Sequence, residues 1–130
     1  MFLLPITPIP TPRPRLGRFG VYNTKKYTQY KNKLIMWISL LKIPKDNYDY
    51  IHAKFYIPYP KNTAKKKLIE GQYLKSNFDC DNIIKGLLDA LEQSNIIEND
   101  SCFCSMCIEK FRTCKKFGRI EFNLKNFPNE

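Results

Sequence analysis

The 130-residue sequence predicts an α+β fold, a small mixed β-sheet packed with two main helices, and three observations carry that expectation. Two stretches place apolar residues at helical spacing, several shorter ones alternate apolar and polar residues, and the two kinds are interspersed along the chain. With 43% hydrophobic residues the chain fills one core but not two, so residues 1–130 are expected to form a single domain.

Each element has its own signature. Residues 2–9 alternate loosely and are expected to make a short strand. The following "PTPRPRLGRFG" must be extended or looped, because its prolines deny a helix and its glycines break regularity, so residues 1–20 read as a basic, proline-rich leader. From Thr24, a suitable N-cap, "KKYTQYKNKLIMWISLLK" sets Tyr27, Tyr30, Leu34, Trp37, Ile38 and Leu41 at helical spacing with lysines on the other faces. "YDYIHAKFYIP" then switches to period two, with Ile51, Ala53, Phe55 and Ile57 on one face and Pro58 and Pro60 ending the strand. "KNTAKKKLIEGQYLKS" reads as a short basic helix followed by a loop. From Asp81 to about Gln93, Ile83, Ile84, Leu87, Leu88 and Leu91 form a second amphipathic stripe. After it, "CFCSMCIEKF" alternates Cys102, Cys104, Met106 and Ile108 against Phe103, Ser105, Cys107 and Glu109, and "GRIEFNL" is expected to be a final strand behind a turn at Gly118.

Charge narrows the function. Lys and Arg number 22 against 12 Asp and Glu, a net charge of +10, and the excess lies at the front: residues 1–78 hold 15 basic and 3 acidic groups, residues 79–130 hold 7 and 9. Such a field suits a polyanion, either nucleic acid or an anionic membrane. The only apolar start, "MFLLPITPIPTP", is broken by four prolines and has no basic leader, so it is neither a signal peptide nor a membrane span, and an intracellular protein is expected. Five cysteines without an export signal are expected to be reduced thiols.

The acidic residues gather where the basic ones thin out. Asp79 and Asp81 sit two apart at the start of the second helix, and in an extended segment that spacing points both carboxylates one way, suited to one hard cation such as Mg²⁺. Asp100 follows the helix and is expected to open the next strand. Because thirteen helical residues span roughly 20 Å, either the loop "SNIIEN" returns Asp100 to the pair or a second subunit supplies it. Lys85 stands one turn beyond Asp81 and Asp89 one turn beyond Lys85, on one face. The competing reading is structural: the acids cap a helix, and Asp81, Lys85 and Asp89 form an ordinary solvated ladder.

The pattern Asp79-x-Asp81-Asn82-x-x-Lys85-x-x-x-Asp89-Ala90-Leu91, followed by Asp100, resembles the signature of the RusA-type Holliday junction resolvases. The leader before the first helix and the lysine-rich "AKKKLIEGQ" resemble that family too, and the likeness spans roughly Pro10 to Leu124. It implies a homodimeric, Mg²⁺-dependent endonuclease that cuts four-way DNA junctions by paired nicks, acting in recombination and repair. Carried over by position, Asp79, Asp81 and Asp100 would be the catalytic, metal-holding carboxylates and Lys85 the catalytic lysine. The sequence departs from the family at Asn99, where an acid usually precedes Asp100, and at Phe78, where a proline is common.

Phosphate contacts are expected from Arg13, Arg15 and Arg18, from Lys25 and Lys26, and from the run Lys65, Lys66 and Lys67. Cys102, Cys104, Cys107 and Cys114 offer a zinc alternative through the Cys104-x-x-Cys107 spacing, against small thiols in a strand. The competing function is a non-catalytic basic nucleic-acid-binding protein, with or without zinc as a stabiliser, in which the basic front binds and the acids only cap a helix. His52 falls on the polar face of its strand with no partner nearby in sequence, so a solvent-facing or hydrogen-bonded histidine is expected there rather than a catalytic base.

Overall fold

The fold is that of a computed structural model, which describes residues 1–12, 15–17, 20–22, 25–75 and 79–128, with the backbone alone at 15–17 and 20–22. A four-stranded mixed sheet carries two helices on one face, as the apolar patterning predicts. In chain order the elements are β1 (Phe2–Leu4), β2 (Arg15–Gly17), β3 (Gly20–Tyr22), α1 (Lys25–Leu40), β4 (Tyr50–Pro58), α2 (Cys80–Gln93), β5 (Ser105–Thr113) and β6 (Arg119–Lys125), with single 3-10 turns at Lys65–Lys67 and Asp100–Cys102. No helix among the described residues is long and apolar enough to cross a membrane.

The sheet order is β1-β6-β4-β5. β6 pairs antiparallel with both β1 and β4, while β4 and β5 run parallel, His52 standing opposite Cys107 and Lys54 opposite Glu109. Parallel neighbours need a crossover, and α2 supplies it. Cys80 Sγ lies 3.9 Å from the Ile108 carbonyl, and the Asp46 N–H donates to the Ile96 carbonyl at 3.0 Å. Hence α2 begins over the middle of β5 and ends near the starts of the strands, running against them.

Period-two alternation decides which face is dry. Ile51, Ala53 and Phe55 of β4, Ile120, Phe122 and Leu124 of β6 and Leu4 of β1 point to the helices and are buried. Tyr27, Tyr30, Leu34 and Ile38 of α1 and Ile83, Ile84, Leu87, Leu88 and Leu91 of α2 close over them in one cluster. At roughly 1.5–3 kcal/mol per fully buried large apolar side chain, this layer holds the domain together. Trp37 and Leu41 pack at its rim, half-buried. The two helices meet at Gly86, where an added Cβ would stand 3.2 Å from both the Tyr27 hydroxyl and Tyr30 Cε2. The absence of a side chain at that point lets the tyrosines pack against α2.

Strand β5 is an edge, and it is covered. Gly71 and Leu74 donate to the Arg112 and Lys110 carbonyls, and the Arg112 N–H donates to the Gln72 carbonyl at 2.8 Å, so the segment after the lysine run shields the open ladder. Glu70 pins one end: its Oε2 accepts from the Cys114 N–H at 2.7 Å and from the buried Thr113 hydroxyl at 3.1 Å.

Three expectations shift. β1 covers only residues 2–4 of the expected 2–9. The second helix starts one residue early, at Cys80, with Asp79 as its N-cap. Asp100 opens a 3-10 turn rather than a strand, because Asn99 Oδ1 accepts from the Ser101 N–H at 2.9 Å and coils the chain; β5 begins only at Ser105. Thr24, the expected cap of α1, lies outside the described residues.

Candidate active site

The start of α2 is the place where acidic and basic segments meet. α1 and α2 run in the same direction: Tyr27 packs on Gly86, and one turn later Lys31 Nζ pairs with Asp89 at 3.7 Å. Their N-termini therefore share one end of the molecule. The leader is fastened there as well. The Thr11 N–H donates to the Asn82 carbonyl at 2.9 Å, and the Thr11 hydroxyl lies 2.8 Å from the Tyr27 hydroxyl. Thr11 thus leaves the leader beside Asp79 and Asp81, an anchor that no motif in the sequence singled out.

Asp79 occupies the N-cap with extended backbone (φ −76°, ψ 154°), yet its side chain makes no capping hydrogen bond. Asp81 lies in the first turn, and both residues are exposed. Only Asp79 is extended, so the expected common direction of the two carboxylates does not follow from strand geometry; they flank the first turn of a helix. The helix dipole favours negative charge at that end. Lys85 is exposed and forms no ion pair among the described residues, because Asp89 turns to Lys31 on α1. The solvated ladder of the competing reading does not form.

Asp100 is exposed on its 3-10 turn at the other end of the crossover. Among the described residues, the only three His, Cys, Asp or Glu side chains whose ligand atoms all lie within 4.8 Å of one another are His52, Cys107 and Glu109. The carboxylates of Asp79, Asp81 and Asp100 do not meet that distance in one chain. The loop after α2 instead buries Ile96 and Ile97 and passes through Asn95 with φ 59°.

The basic residues are spread more widely. Lys25 and Lys26 are exposed on the first turn of α1, at the same end as Asp79. Lys65, Lys66 and Lys67 form an exposed 3-10 turn ahead of the β5 edge cover. Arg13 and Arg18 lie outside the described residues. Arg15 has only its backbone described, in β2, where it stands opposite Tyr22 of β3.

A family model described as endodeoxyribonuclease RusA matches residues 5–125. The chain belongs to the RusA endodeoxyribonuclease family. No curated protein matches it significantly. The match takes in the leader from Pro5 onward, both helices and strands β4, β5 and β6 of the sheet, and it bears out the resemblance carried by the Asp79–Leu91 pattern. Membership makes the protein a nuclease of the Holliday junction-resolving kind, with DNA as its partner. The RusA assignment also leaves Asn99 with a clear local task, since its amide shapes the turn that presents Asp100.

The cysteines do not form the group that the zinc alternative required. Cys102 sits in the 3-10 turn and Cys104 precedes β5, its Sγ directed to the Asp49 carbonyl at 3.3 Å, so neither joins Cys107 and Cys114. His52, by contrast, does find a partner. Its Nε2 lies 2.5 Å from Glu109 Oε1 on the sheet face turned away from the helices, with Cys107 beside it. That hydrogen bond, seconded by Tyr73, holds the Glu109 carboxyl below the ordinary carboxylate value, and Glu109 in turn pushes the Tyr73 hydroxyl up. The sequence put His52 on the polar face of its strand and Glu109 on one face with Cys107; it did not reveal the register that joins them.

Proposed function

We propose that this RusA-family protein is a Mg²⁺-dependent resolvase that cuts four-way DNA junctions by paired symmetric nicks in recombination and repair. It works inside the cell as a homodimer, each chain forming one endonuclease domain over residues 1–130 with residues 1–20 as its basic leader. The observation that carries this reading is the pair of exposed carboxylates at the start of α2, that of Asp79 making no capping hydrogen bond, with Thr11 of the leader bonded to the Asn82 carbonyl beside them.

The donor set suits the metal. Asp79 and Asp81 are all-oxygen ligands open to solvent, which matches an ion that keeps several waters and takes one or two carboxylates. With Asp100 at the far end of α2 in its own chain, Asp100 of a second copy would complete the set, which makes dimerisation part of the chemistry. An ion held there supplies Lewis-acid chemistry, lowering the pKa of an attacking water and relieving charge at the scissile phosphate. Lys85, one turn beyond Asp81 and unpaired among the described residues, presents its ammonium to a phosphate or to the leaving oxygen. Arg13, Arg15 and Arg18, with Lys25 and Lys26, would hold the DNA backbone over that end. The run Lys65, Lys66 and Lys67 would extend the phosphate track.

The test uses a labelled four-way junction incubated with the purified protein in Mg²⁺ or in EDTA. Symmetric paired nicks in Mg²⁺ alone, with linear duplex left intact, are expected. An uncut junction in Mg²⁺, with binding demonstrated by gel shift, would overturn the proposal.

A further inference from the structure

We propose a second metal site, for a transition-metal ion of the Zn²⁺ class, built by His52, Cys107 and Glu109 on the sheet face opposite the helices. Their ligand atoms all lie within 4.8 Å of one another. Two ligands bound tetrahedrally at about 2.1–2.3 Å stand about 3.4–3.8 Å apart, so small side-chain rotations are enough to close the site around an ion. The backbone already sets the spacing. His52 and Cys107 are register partners across the parallel pair β4 and β5, and Glu109 is the next residue of β5 on the same face.

The donor types choose the ion. A thiolate, an imidazole and a carboxylate favour Zn²⁺ and its neighbours, whereas Mg²⁺ takes oxygen ligands. This separates the cluster chemically from the carboxylates at the start of α2, and the sheet separates it physically: Ile108, over which α2 begins, points to the core while Cys107 and Glu109 point away. His52 and Glu109 are each about one quarter exposed, at 25% and 23%, so an ion can enter and a water can take the fourth position.

An outer shell is in place. The Tyr73 hydroxyl donates to Glu109 Oε2 at 3.0 Å, orienting the carboxylate, and Tyr73 belongs to the segment that covers the β5 edge. Such partners fix ligand orientation in metal sites. A bound ion would strap β4 to β5 and, through Glu109 and Tyr73, hold down the edge cover. The inference does not depend on nuclease activity.

The experiment is a titration of metal-stripped, reduced full-length protein with Zn²⁺ in the presence of excess Mg²⁺, followed by calorimetry, with Co²⁺ as the optical probe. One Zn²⁺ per chain, a rise of several degrees in Tm and a thiolate-to-cobalt charge-transfer band are expected. Cys107→Ser should abolish the band, and His52→Asn and Glu109→Gln should each weaken binding tenfold or more. Cys104→Ser and Cys114→Ser should leave both unchanged. Absence of stoichiometric binding by the unmodified chain would overturn the site whatever the variants do. Undiminished binding by folded Cys107→Ser protein, or a band lost in Cys104→Ser, would overturn it equally.

Discussion

Two clusters of ligand-bearing side chains occupy opposite sides of one sheet, and they are built in opposite ways. At the start of α2, Asp79 and Asp81 are close in sequence, exposed and, among the described residues, without an ion pair that would use up their charge. Behind the sheet, His52, Cys107 and Glu109 come from two strands and are partly buried, with His52 and Glu109 hydrogen-bonded and Cys107 beside them. The first is a local motif presented outward to a large anionic substrate. The second is a product of strand register, closed on itself and sized for a single ion. A nuclease needs the first kind of site, because the phosphate must be able to reach the carboxylates.

The contrast can be broken most severely at the carboxylates. Asp79→Asn and Asp81→Asn should each lower junction cutting by about 10²–10³-fold or more, while gel-shift affinity stays within a few-fold of the parent. Assaying both quantities on the same preparations checks this, and comparable losses of binding would point to a DNA-contact role instead. The dimeric part of the account has its own test. Mixing Asp79→Asn protein with Asp100→Asn protein should restore one working site per mixed dimer if Asp100 acts across the interface, and none if it acts within its own chain.

A smaller effect is expected where the first region is anchored. Gly86→Val thrusts a side chain toward the Tyr27 hydroxyl and Tyr30 ring, each only 3.2 Å from the added Cβ. It should cost about 1–3 kcal/mol of stability, as overpacking does, and should loosen the Thr11 tether that places the leader. Thermal melts and cutting rates should fall together, while Zn²⁺ binding behind the sheet persists. Persistence of full cutting would show that the leader's anchor is dispensable.

The smallest effect sharpens the description of the β5 edge. The Cys114 N–H, then the Thr113 hydroxyl and Arg119, hold the Glu70 carboxyl below its ordinary value. A carboxylate whose folded pKa is lowered adds stability above its unfolded pKa, near 4.5, and loses it as pH falls through the folded value. Melting temperature should therefore drop below about pH 4.5, and Glu70→Gln should flatten that part of the profile and lower Tm by a few degrees or less at neutral pH. An unchanged profile would remove Glu70 from the edge clamp.

Much of the fold was legible because its signals are local. Period 3.6 placed Tyr27, Tyr30, Leu34 and Ile38 on one buried stripe, and period two sent Ile51, Ala53 and Phe55 inward. The candidate catalytic residues were legible for the same reason, since Asp79, Asp81 and Lys85 lie within seven residues of each other. Asp100 was harder: a strand expectation failed there because Asn99 coils the chain through a side-chain hydrogen bond that alternation does not register. The role of Thr11 and the partner of His52 were hidden. Their partners, Asn82 and Tyr27 in one case and Glu109 in the other, are brought together by packing and parallel pairing between distant segments, which no periodicity specifies.

The most direct test of the central claim is a crystal structure of the protein grown with Mn²⁺ as a stand-in for Mg²⁺, examined for anomalous scattering. The account predicts a peak at the start of α2, bound by Asp79 and Asp81 and approached by Asp100 of a second copy. Manganese absent from that position at saturating concentration, with Asp79 and Asp81 turned apart into solvent, would contradict it.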